Sequence, residues 1–273
     1  MNAAVAQPRE SPLEFGRRVV LVTGAAQGIG AATARRLAAQ GARLALFDRD
    51  GEALARTAAQ LRSSGAQARA WTVDLADAAA TRAAIGDLEG QWGAIDHLAH
   101  IAGVLRIGAV LDAATDPLAD WDACMAVNAR ALVGVAQAVA GGMARRGRGS
   151  IVVVGSNAAT TPRIGMAAYA ASKAAVSQYL RCLALELAPH GVRCNLVSPG
   201  STDTPMQRAF AADAAAREAI LGGDAARFRL GIPLGRIADA DDVAQAVCFL
   251  LSDRARHITL HDLRVDGGAT LDA

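Results

Sequence analysis

Short apolar runs alternate with longer amphipathic stretches along almost the whole chain. Runs of this length and composition predict strands, and apolar positions spaced by three and four residues predict helices. Strands are predicted at 18–23, 43–47, 70–73, 95–101, 150–154, 192–197 and 260–265. Helices are predicted between them, one ending at Gly41, one through Ile85 and Leu88, and others at 51–63, 120–145, 168–189 and 241–251.

The regular alternation of strand and helix indicates the fold class. The run at 150–154 is almost purely β-branched, as a strand buried on both faces should be. Repeated strand–helix units predict an α/β fold of the Rossmann type, a doubly wound parallel sheet of about seven strands with helices on both faces. We expect one domain at 15–273, preceded by a flexible tail at 1–14 that has no apolar run of signal-peptide length.

Composition narrows the class of partner. The chain has 273 residues, 52% of them hydrophobic, which is enough for a substantial core. Its net charge is +2 and its basic residues are scattered, which argues against nucleic acid or a membrane surface as a partner. No stretch approaches the length of a transmembrane span. The four cysteines show no metal-binding spacing and lie in apolar stretches, so we expect buried free thiols, no metal and a cytoplasmic protein.

A glycine cluster follows the first predicted strand and opens a helix. Gly24 permits a tight turn, Gly28 lets the backbone approach a pyrophosphate, and Gly30 allows the helix to pack closely on the sheet. The phosphates would lie at the helix N-terminus, where free N–H groups and the helix dipole favour anions. The cluster therefore predicts a dinucleotide site.

Asp48 ends the second predicted strand, eighteen residues beyond Gly30. Its carboxylate can accept both hydroxyls of the adenosine ribose and would repel a 2′-phosphate. This favours NAD as the cofactor, although Arg49 could bind the phosphate of NADP.

Lys173 is the only lysine among 28 basic residues, and it stands four residues after Tyr169. On a helix these positions share a face, so the ammonium can lie close to the phenol hydroxyl. A nearby cation favours the phenolate and lowers the pKa of tyrosine toward working pH, which would make Tyr169 a general base. The alternative is a lysine without function on a solvated helix face.

These features resemble the short-chain dehydrogenases/reductases over nearly the whole chain and in that family's order. The catalytic set that the resemblance implies is Asn128, Ser156, Tyr169 and Lys173. Ser156 would stabilise an alkoxide, and Asn128 would support a water that relays protons to the lysine. The cofactor set that it implies is Gly24, Gln27, Gly28, Ile29, Gly30, Asp48, Asp74, Leu75, Gly103, Tyr169, Lys173, Pro199, Gly200, Thr202 and Thr204. The family also implies a homotetramer. One departure is His100, which stands where the family usually has Asn, and we interpret it as a packing substitute.

Three stretches, at 102–108, 161–166 and 198–204, resemble a narrower group of that family. Members of this group oxidise a hydroxyl on a chorismate-derived cyclohexadiene carboxylate, and aromatisation of the product favours oxidation. The implied substrate is 2,3-dihydro-2,3-dihydroxybenzoate, for siderophore or catechol biosynthesis. A carboxylate calls for a cation, preferably a bidentate one, so Arg106 and Arg163 are substrate candidates. Ser156, Met166, Met206 and Gln207 would line the rest of the pocket.

Other functions stay open from the sequence. The substrate could be 2,3-dihydro-3-hydroxyanthranilate, which has an amine at C2 and belongs to antibiotic biosynthesis. The protein could also be a 3-oxoacyl reductase, which Asp48 disfavours because such reductases use NADPH. A nucleotide-binding protein without turnover is disfavoured by the intact catalytic set.

Overall fold

The computed structural model describes residues 13–112, 114–211 and 213–271. Within these residues, seven parallel strands form one sheet: β1 (Val19–Thr23), β2 (Arg43–Asp48), β3 (Ala68–Thr72), β4 (His97–His100), β5 (Gly149–Val154), β6 (Val192–Pro199) and β11 (Asp262–Val265). Their order across the sheet is β11-β6-β5-β4-β1-β2-β3. Two pairs of short strands lie outside it, β7 (Thr202–Asp203) with β10 (Ala238–Asp239) and β8 (Gly223–Asp224) with β9 (Arg229–Leu230). The predicted parallel sheet is confirmed.

Helices connect the strands of the sheet. They are α1 (Gly28–Ala39), α2 (Gly51–Ser63), α3 (Ala78–Trp92), α4 (Pro117–Cys124), α5 (Ala131–Arg145), α6 (Ala167–Leu187), α7 (Pro205–Phe210), α8 (Ala214–Gly222) and α9 (Ala240–Leu251). Asp side chains accept backbone N–H groups at the starts of α2, α3, α4 and α8, which satisfies donors that a helix leaves free at its N-terminus.

Two large apolar clusters form the core, one on each face of the sheet, and a small third cluster contains Ala211, Ile220 and Ile232. Strand β1 shows the alternation directly, because Val19 and Leu21 belong to one cluster while Val20 and Val22 belong to the other. Helices α3, α5 and α6 contribute to the first cluster, and α1, α2 and α9 contribute to the second. This arrangement is the doubly wound architecture that the sequence predicts.

The helical run Pro117–Arg145 differs from the sequence expectation. By length and composition it could cross a membrane, whereas no stretch was expected to reach that length. In this fold 44% of its most apolar window is buried inside the protein, and Leu132, Val135 and Val139 lie in the core cluster against the sheet. Apolarity around most of its circumference is typical of a helix packed in a core.

Three further differences concern local detail. Strand β3 begins two residues earlier than the predicted 70–73, at the sheet edge where it pairs only with β2. Cys182 is exposed, while the other three cysteines are buried as expected. The short elements between Thr202 and Asp239 were not predicted. The proposed boundary between a tail and a domain stays a prediction, because residues 1–12 lie outside the described residues; Glu14 makes an ion pair with Arg254.

The sheet topology fixes where a ligand can bind. Strand β1 lies between β2 and β4, so the chain winds in opposite directions on its two sides. In open parallel sheets, ligands bind at such a switch point, beyond the carboxyl ends of the strands.

Candidate active site

The turn between β1 and α1 is built by its glycines. Gly24 and Gly28 have φ angles of 66° and 54°, in the left-handed region that favours glycine. A Cβ at Gly30 would overlap the carbonyl oxygen of Gly24, and one at Gly28 would lie 3.3 Å from Cγ2 of Thr204. The backbone therefore curves tightly into the N-terminus of α1, where the N–H groups of the first helical turn can bind an anion.

Asp48 lies beside this turn, at the end of β2. Its carboxylate accepts the N–H of Ala26 at 3.0 Å and that of Asp50 at 3.1 Å, which fixes its orientation. A cavity of about 210 Å³ opens over the turn. It is lined by Gly24, Gln27, Gly28, Ile29, Gly30, Asp48, Asp74, Leu75, Gly103 and Thr204, all predicted cofactor residues, together with Arg49.

The residues present fit a dinucleotide. This nucleotide cavity shares Ile29, Gly103 and Thr204 with a second cavity of about 460 Å³, so the two are continuous. The second cavity, called the substrate cavity below, contains the other predicted cofactor residues Tyr169, Lys173, Pro199, Gly200 and Thr202. The order of these groups along the two cavities matches NAD. Asp48 suits the adenosine ribose, the backbone of the glycine turn suits the phosphates, and the polar residues around Tyr169 suit the nicotinamide end.

Tyr169, Lys173 and Ser156 converge in the substrate cavity. Helix α6 presents Tyr169 and Lys173 one turn apart, as predicted, and Ser156 follows β5. The Ser156 hydroxyl lies close enough to that of Tyr169 to lower its pKa. The Lys173 Nζ atom lies 5.9 Å from the centroid of the Tyr169 ring and donates to the carbonyl of Val154 at 2.9 Å.

The electrostatics of this cluster differ from the sequence expectation. Burial raises the pKa of Tyr169, while the Ser156 hydrogen bond and the charge of Arg163 act to lower it. The expected lowering by Lys173 does not dominate, because the ammonium is directed at the Val154 carbonyl. Burial also lowers the pKa of Lys173 to about 8. Lys173 therefore titrates closer to neutral pH than an ordinary lysine, whereas burial favours the neutral phenol of Tyr169.

Asn128 lies behind the cluster rather than in the cavity wall. It is carried by a π-helical turn, Met125–Arg130, of a kind often found at functional sites. Its amide accepts the N–H of Val104 at 2.8 Å and donates to the Val104 carbonyl at 3.0 Å and to Ser172 Oγ at 2.9 Å. Asn128 thus clamps the loop after β4, where a Cβ at Gly103 would lie 3.2 Å from its Oδ1 and 3.5 Å from the lysine Nζ. The water relay expected for Asn128 stays a prediction.

Four of the predicted substrate residues besides Ser156 line the substrate cavity: Arg163, Met166, Met206 and Gln207. Arg106 is the exception. Its side chain is 56% exposed, its Nε lies 4.0 Å from the Asp120 carboxylate, and it does not line either of the two cavities described here. The structure therefore brings Arg163 to the catalytic cluster and leaves Arg106 at the surface near α4.

Sequence reasoning missed several residues of the cavity wall. The most informative are Arg229 and Asp224, which come from the β8–β9 hairpin, and Asn157, which supports Arg163. Two-residue strands have no periodic pattern that a sequence could reveal. The only signal near Arg229 is its place directly before the Leu-Gly-Ile-Pro-Leu segment.

His100 is buried at the end of β4. The Thr23 hydroxyl oxygen accepts the N–H groups of Ile101 and Ala102, which occupies both of its acceptor sites. The contact of 3.1 Å between Thr23 Oγ1 and His100 Nδ1 is therefore one in which the threonine hydroxyl donates. Burial, and then the charge of Lys173, lower the pKa of His100 to about 3. The ring is therefore neutral and links β1 to β4, in agreement with a packing role.

A hydroxyl of a small cyclic molecule can bind between Ser156 and Tyr169, with a dinucleotide along the adjoining cavity. This arrangement suits hydride transfer coupled to proton transfer through a tyrosine. Among the described residues there is no cluster of metal-ligating side chains.

Comparisons with known proteins agree with this geometry. The family model described as enoyl-(acyl carrier protein) reductase, one of the short-chain dehydrogenases, matches residues 24–270.

Two relatives named 2,3-dihydro-2,3-dihydroxybenzoate dehydrogenase are similar over almost their full length. The protein from Bacillus subtilis (strain 168) is 45% identical over 254 residues, covering 93% of this chain and 96% of the relative. The protein from Escherichia coli (strain K12) is 43% identical over 263 residues, covering 96% of this chain and 100% of the relative. Among solved structures, a 7α-hydroxysteroid dehydrogenase in complex with NADH and 7-oxoglycochenodeoxycholic acid has a TM-score of 0.87 at 26% identity. It covers 96% of this chain and 97% of that structure.

Proposed function

The chain belongs to the short-chain dehydrogenase/reductase family, and from that premise we propose that it oxidises 2,3-dihydro-2,3-dihydroxybenzoate to 2,3-dihydroxybenzoate with NAD. The observation that carries this proposal is the convergence of Ser156, Tyr169 and Lys173 in a cavity that continues into the nucleotide cavity. Relatives of that activity at 43% and 45% identity support the substrate. The product is a catechol of the kind used in siderophore biosynthesis.

The reaction follows from the roles of these side chains. The substrate hydroxyl binds between the hydroxyls of Ser156 and Tyr169. Tyr169 takes its proton as a phenolate, the form that Ser156 and the charge of Arg163 favour and that burial opposes. Ser156 stabilises the developing alkoxide, and positioned proton transfer of this kind contributes about 10²–10⁴-fold to the rate. When bound, NAD supplies the hydride acceptor. The ketone that remains on the ring tautomerises to the aromatic diol, which draws the reaction toward oxidation.

Lys173 and Asn128 complete the proton path. Lys173 lies one helical turn from Tyr169, and we propose that the tyrosine proton returns to water past this lysine, whose pKa burial lowers to about 8. Asn128 holds the loop after β4 in place beside it. Met166, Met206 and Gln207 shape the remaining wall around the ring.

The test is NADH formation with two candidate substrates. Purified protein is given NAD and either 2,3-dihydro-2,3-dihydroxybenzoate or 2,3-dihydro-3-hydroxyanthranilate, and kcat/KM is measured for each. We expect the diol to be preferred by at least about tenfold, which is roughly 1.4 kcal/mol. A preference for 2,3-dihydro-3-hydroxyanthranilate would assign the protein to the second reaction. If neither diene is oxidised, both candidate functions are wrong.

We also propose a homotetramer in the cytoplasm. Apolar side chains of the helical run Pro117–Arg145 and of α6 are exposed on the single chain, among them Leu118, Val133 and Leu185. Obligate interfaces bury apolar surface of this kind. Light scattering at micromolar concentration should give four times the chain mass of 27.9 kDa, and a monomer would contradict the proposal.

A further inference from the structure

Two arginines reach the substrate cavity from different parts of the fold. Arg163 lies in the loop between β5 and α6, and Arg229 lies on β9 in the segment that covers the cavity. Both line the same cavity as Tyr169. Like charges in a partly buried space repel each other unless an anion lies between them.

Arg163 is oriented without direct neutralisation. Its Nη1 donates to Asn157 Oδ1 at 2.9 Å. The other end of that amide donates to Thr270 Oγ1 at 3.0 Å and to the Asp266 carboxylate at 3.4 Å. Among the described residues, no carboxylate lies within 4.0 Å of Arg163. The guanidinium is therefore held in place by a neutral amide in the wall of the cavity, and Asp266 acts on its charge without an ion pair.

Arg229 is oriented by Ser201, which lies in the segment between β6 and β7. Its Nη2 donates to Ser201 Oγ at 3.0 Å. Arg229 and Asp224 are opposite each other in the antiparallel pair, so their side chains leave the same face. Both line the substrate cavity.

Arg163 and Arg229 are close enough for their charges to act on each other. Burial lowers the pKa of Arg163, and the charge of Arg229 lowers it further, while the charges of Tyr169 and Asp266 act to raise it. A carboxylate bound by both arginines would relieve the repulsion between them.

We propose that Arg163 and Arg229 together bind the carboxylate of the substrate and so select ring carboxylates over uncharged ring diols. Two guanidinium forks from different parts of the fold would hold the ring so that its hydroxyl reaches Ser156 and Tyr169. This inference rests on the proposed function only in taking the substrate to be a ring carboxylate. Both candidate dienes have that group.

The first test needs no variant. The affinity of the wild-type protein, with NADH bound, is measured by calorimetry for 2,3-dihydroxybenzoate and for catechol, which lacks only the carboxylate. Charge-assisted hydrogen bonds predict that the acid binds at least about 30-fold more tightly. Equal affinities would overturn the proposal.

The second test separates the two arginines from their surroundings. Arg229→Met should raise KM for the diene about 30-fold, change kcat little and leave the affinity for NAD unchanged, because Arg229 is outside the nucleotide cavity. Arg229→Lys should recover part of the lost affinity for the diene.

Arg163→Met should raise KM similarly and also move the pH profile upward, because the Arg163 charge lowers the pKa of Tyr169. Arg217→Met is the matched control, an exposed arginine on neighbouring α8 that is outside both cavities, and it should have no effect.

The outcomes distinguish this proposal from the proposed function. If wild type oxidises a diene but Arg229→Met and Arg163→Met keep its KM within twofold, only the carboxylate site is wrong. If wild type prefers 2,3-dihydroxybenzoate to catechol but oxidises neither diene, the carboxylate site stands and the proposed function fails.

Discussion

Lys173 is the only ammonium side chain of the protein, and its surroundings explain why arginine does not replace it. The side chain is 4% exposed, and its Nζ donates to the Val154 carbonyl while the backbone at Gly103 passes close by. We expect Lys173→Arg to lower kcat by about 10²-fold or more, because a planar guanidinium does not fit there and does not release a proton. Steady-state kinetics measure the loss. Arg181→Lys on the outer face of α6 is the control; near-normal kcat in Lys173→Arg would show that the lone lysine is an accident of composition.

Tyr169 carries the proposed proton transfer, and its removal separates binding from chemistry. Tyr169→Phe keeps the ring but loses the hydroxyl that lies near Ser156. Turnover should fall by at least about 10²-fold while the affinity for NAD changes less than twofold. Stopped-flow kinetics measure the loss of turnover, and fluorescence titration with NADH measures the affinity for the cofactor. A variant that keeps a tenth of the wild-type rate would mean that another group is the base.

Asp48 should decide the choice between the two nicotinamide cofactors. Its carboxylate is fixed by two backbone N–H groups and faces the nucleotide cavity, where a 2′-phosphate would be repelled. We expect kcat/KM for NAD to exceed that for NADP by at least about tenfold. Asp48→Asn should narrow the ratio, because the amide has no negative charge. Equal values in the wild-type protein would assign the phosphate to Arg49.

At the scale of the element, the turn from β1 into α1 allows a direct test of its glycines. Gly30→Ala would place a Cβ against the Gly24 carbonyl and force the turn apart, so we expect a loss of about 2 kcal/mol or more in the free energy of unfolding, and weaker NAD binding. Gly86→Ala is the control inside the exposed face of α3, where a Cβ meets nothing within 4 Å. It should stabilise the protein by about 1 kcal/mol. Chemical unfolding of both variants decides; equal effects would contradict the steric argument.

The elements also show which parts of the structure the sequence can predict. Strands β1, β5 and β6 were predicted within two residues, because each is a buried apolar run whose signal is local. The glycine turn and the Tyr169–Lys173 pair were predicted because their chemistry depends on spacings of a few residues. The β8–β9 hairpin was not, since each of its strands has two residues and no periodicity. Arg229 was missed for that reason, while Arg106 was selected because it follows a strand.

At the scale of the whole molecule, the two clusters of the core meet the sheet from opposite sides, and two histidines are enclosed with them. His97 and His100 are the ends of β4, the strand beside β1 at the centre of the sheet. Among the described residues, neither ring nitrogen of His97 has a hydrogen-bond partner. Burial, followed by the charges of Arg18, Arg193 and Arg148, lowers its pKa to about 3.

These histidines should set the acid limit of the fold. Both pKa values fall from 6.5 to about 3 on folding, so below pH 6.5 the unfolded chain binds protons that the folded protein does not. Stability is therefore fully present above pH 6.5 and decreases as the pH falls toward 3, by about 1.4 kcal/mol per pH unit for each histidine.

Urea unfolding at fixed protein concentration, followed by tryptophan fluorescence from pH 7 to about 4.5, measures this slope. His97→Leu removes one titrating group and an unsatisfied buried ring while keeping an apolar contact with Phe15. It should halve the histidine part of the slope and stabilise the protein at neutral pH, whereas His257→Leu, at an exposed position, is the matched control. An unchanged slope in His97→Leu would show that this histidine does not limit the stability of the fold in acid.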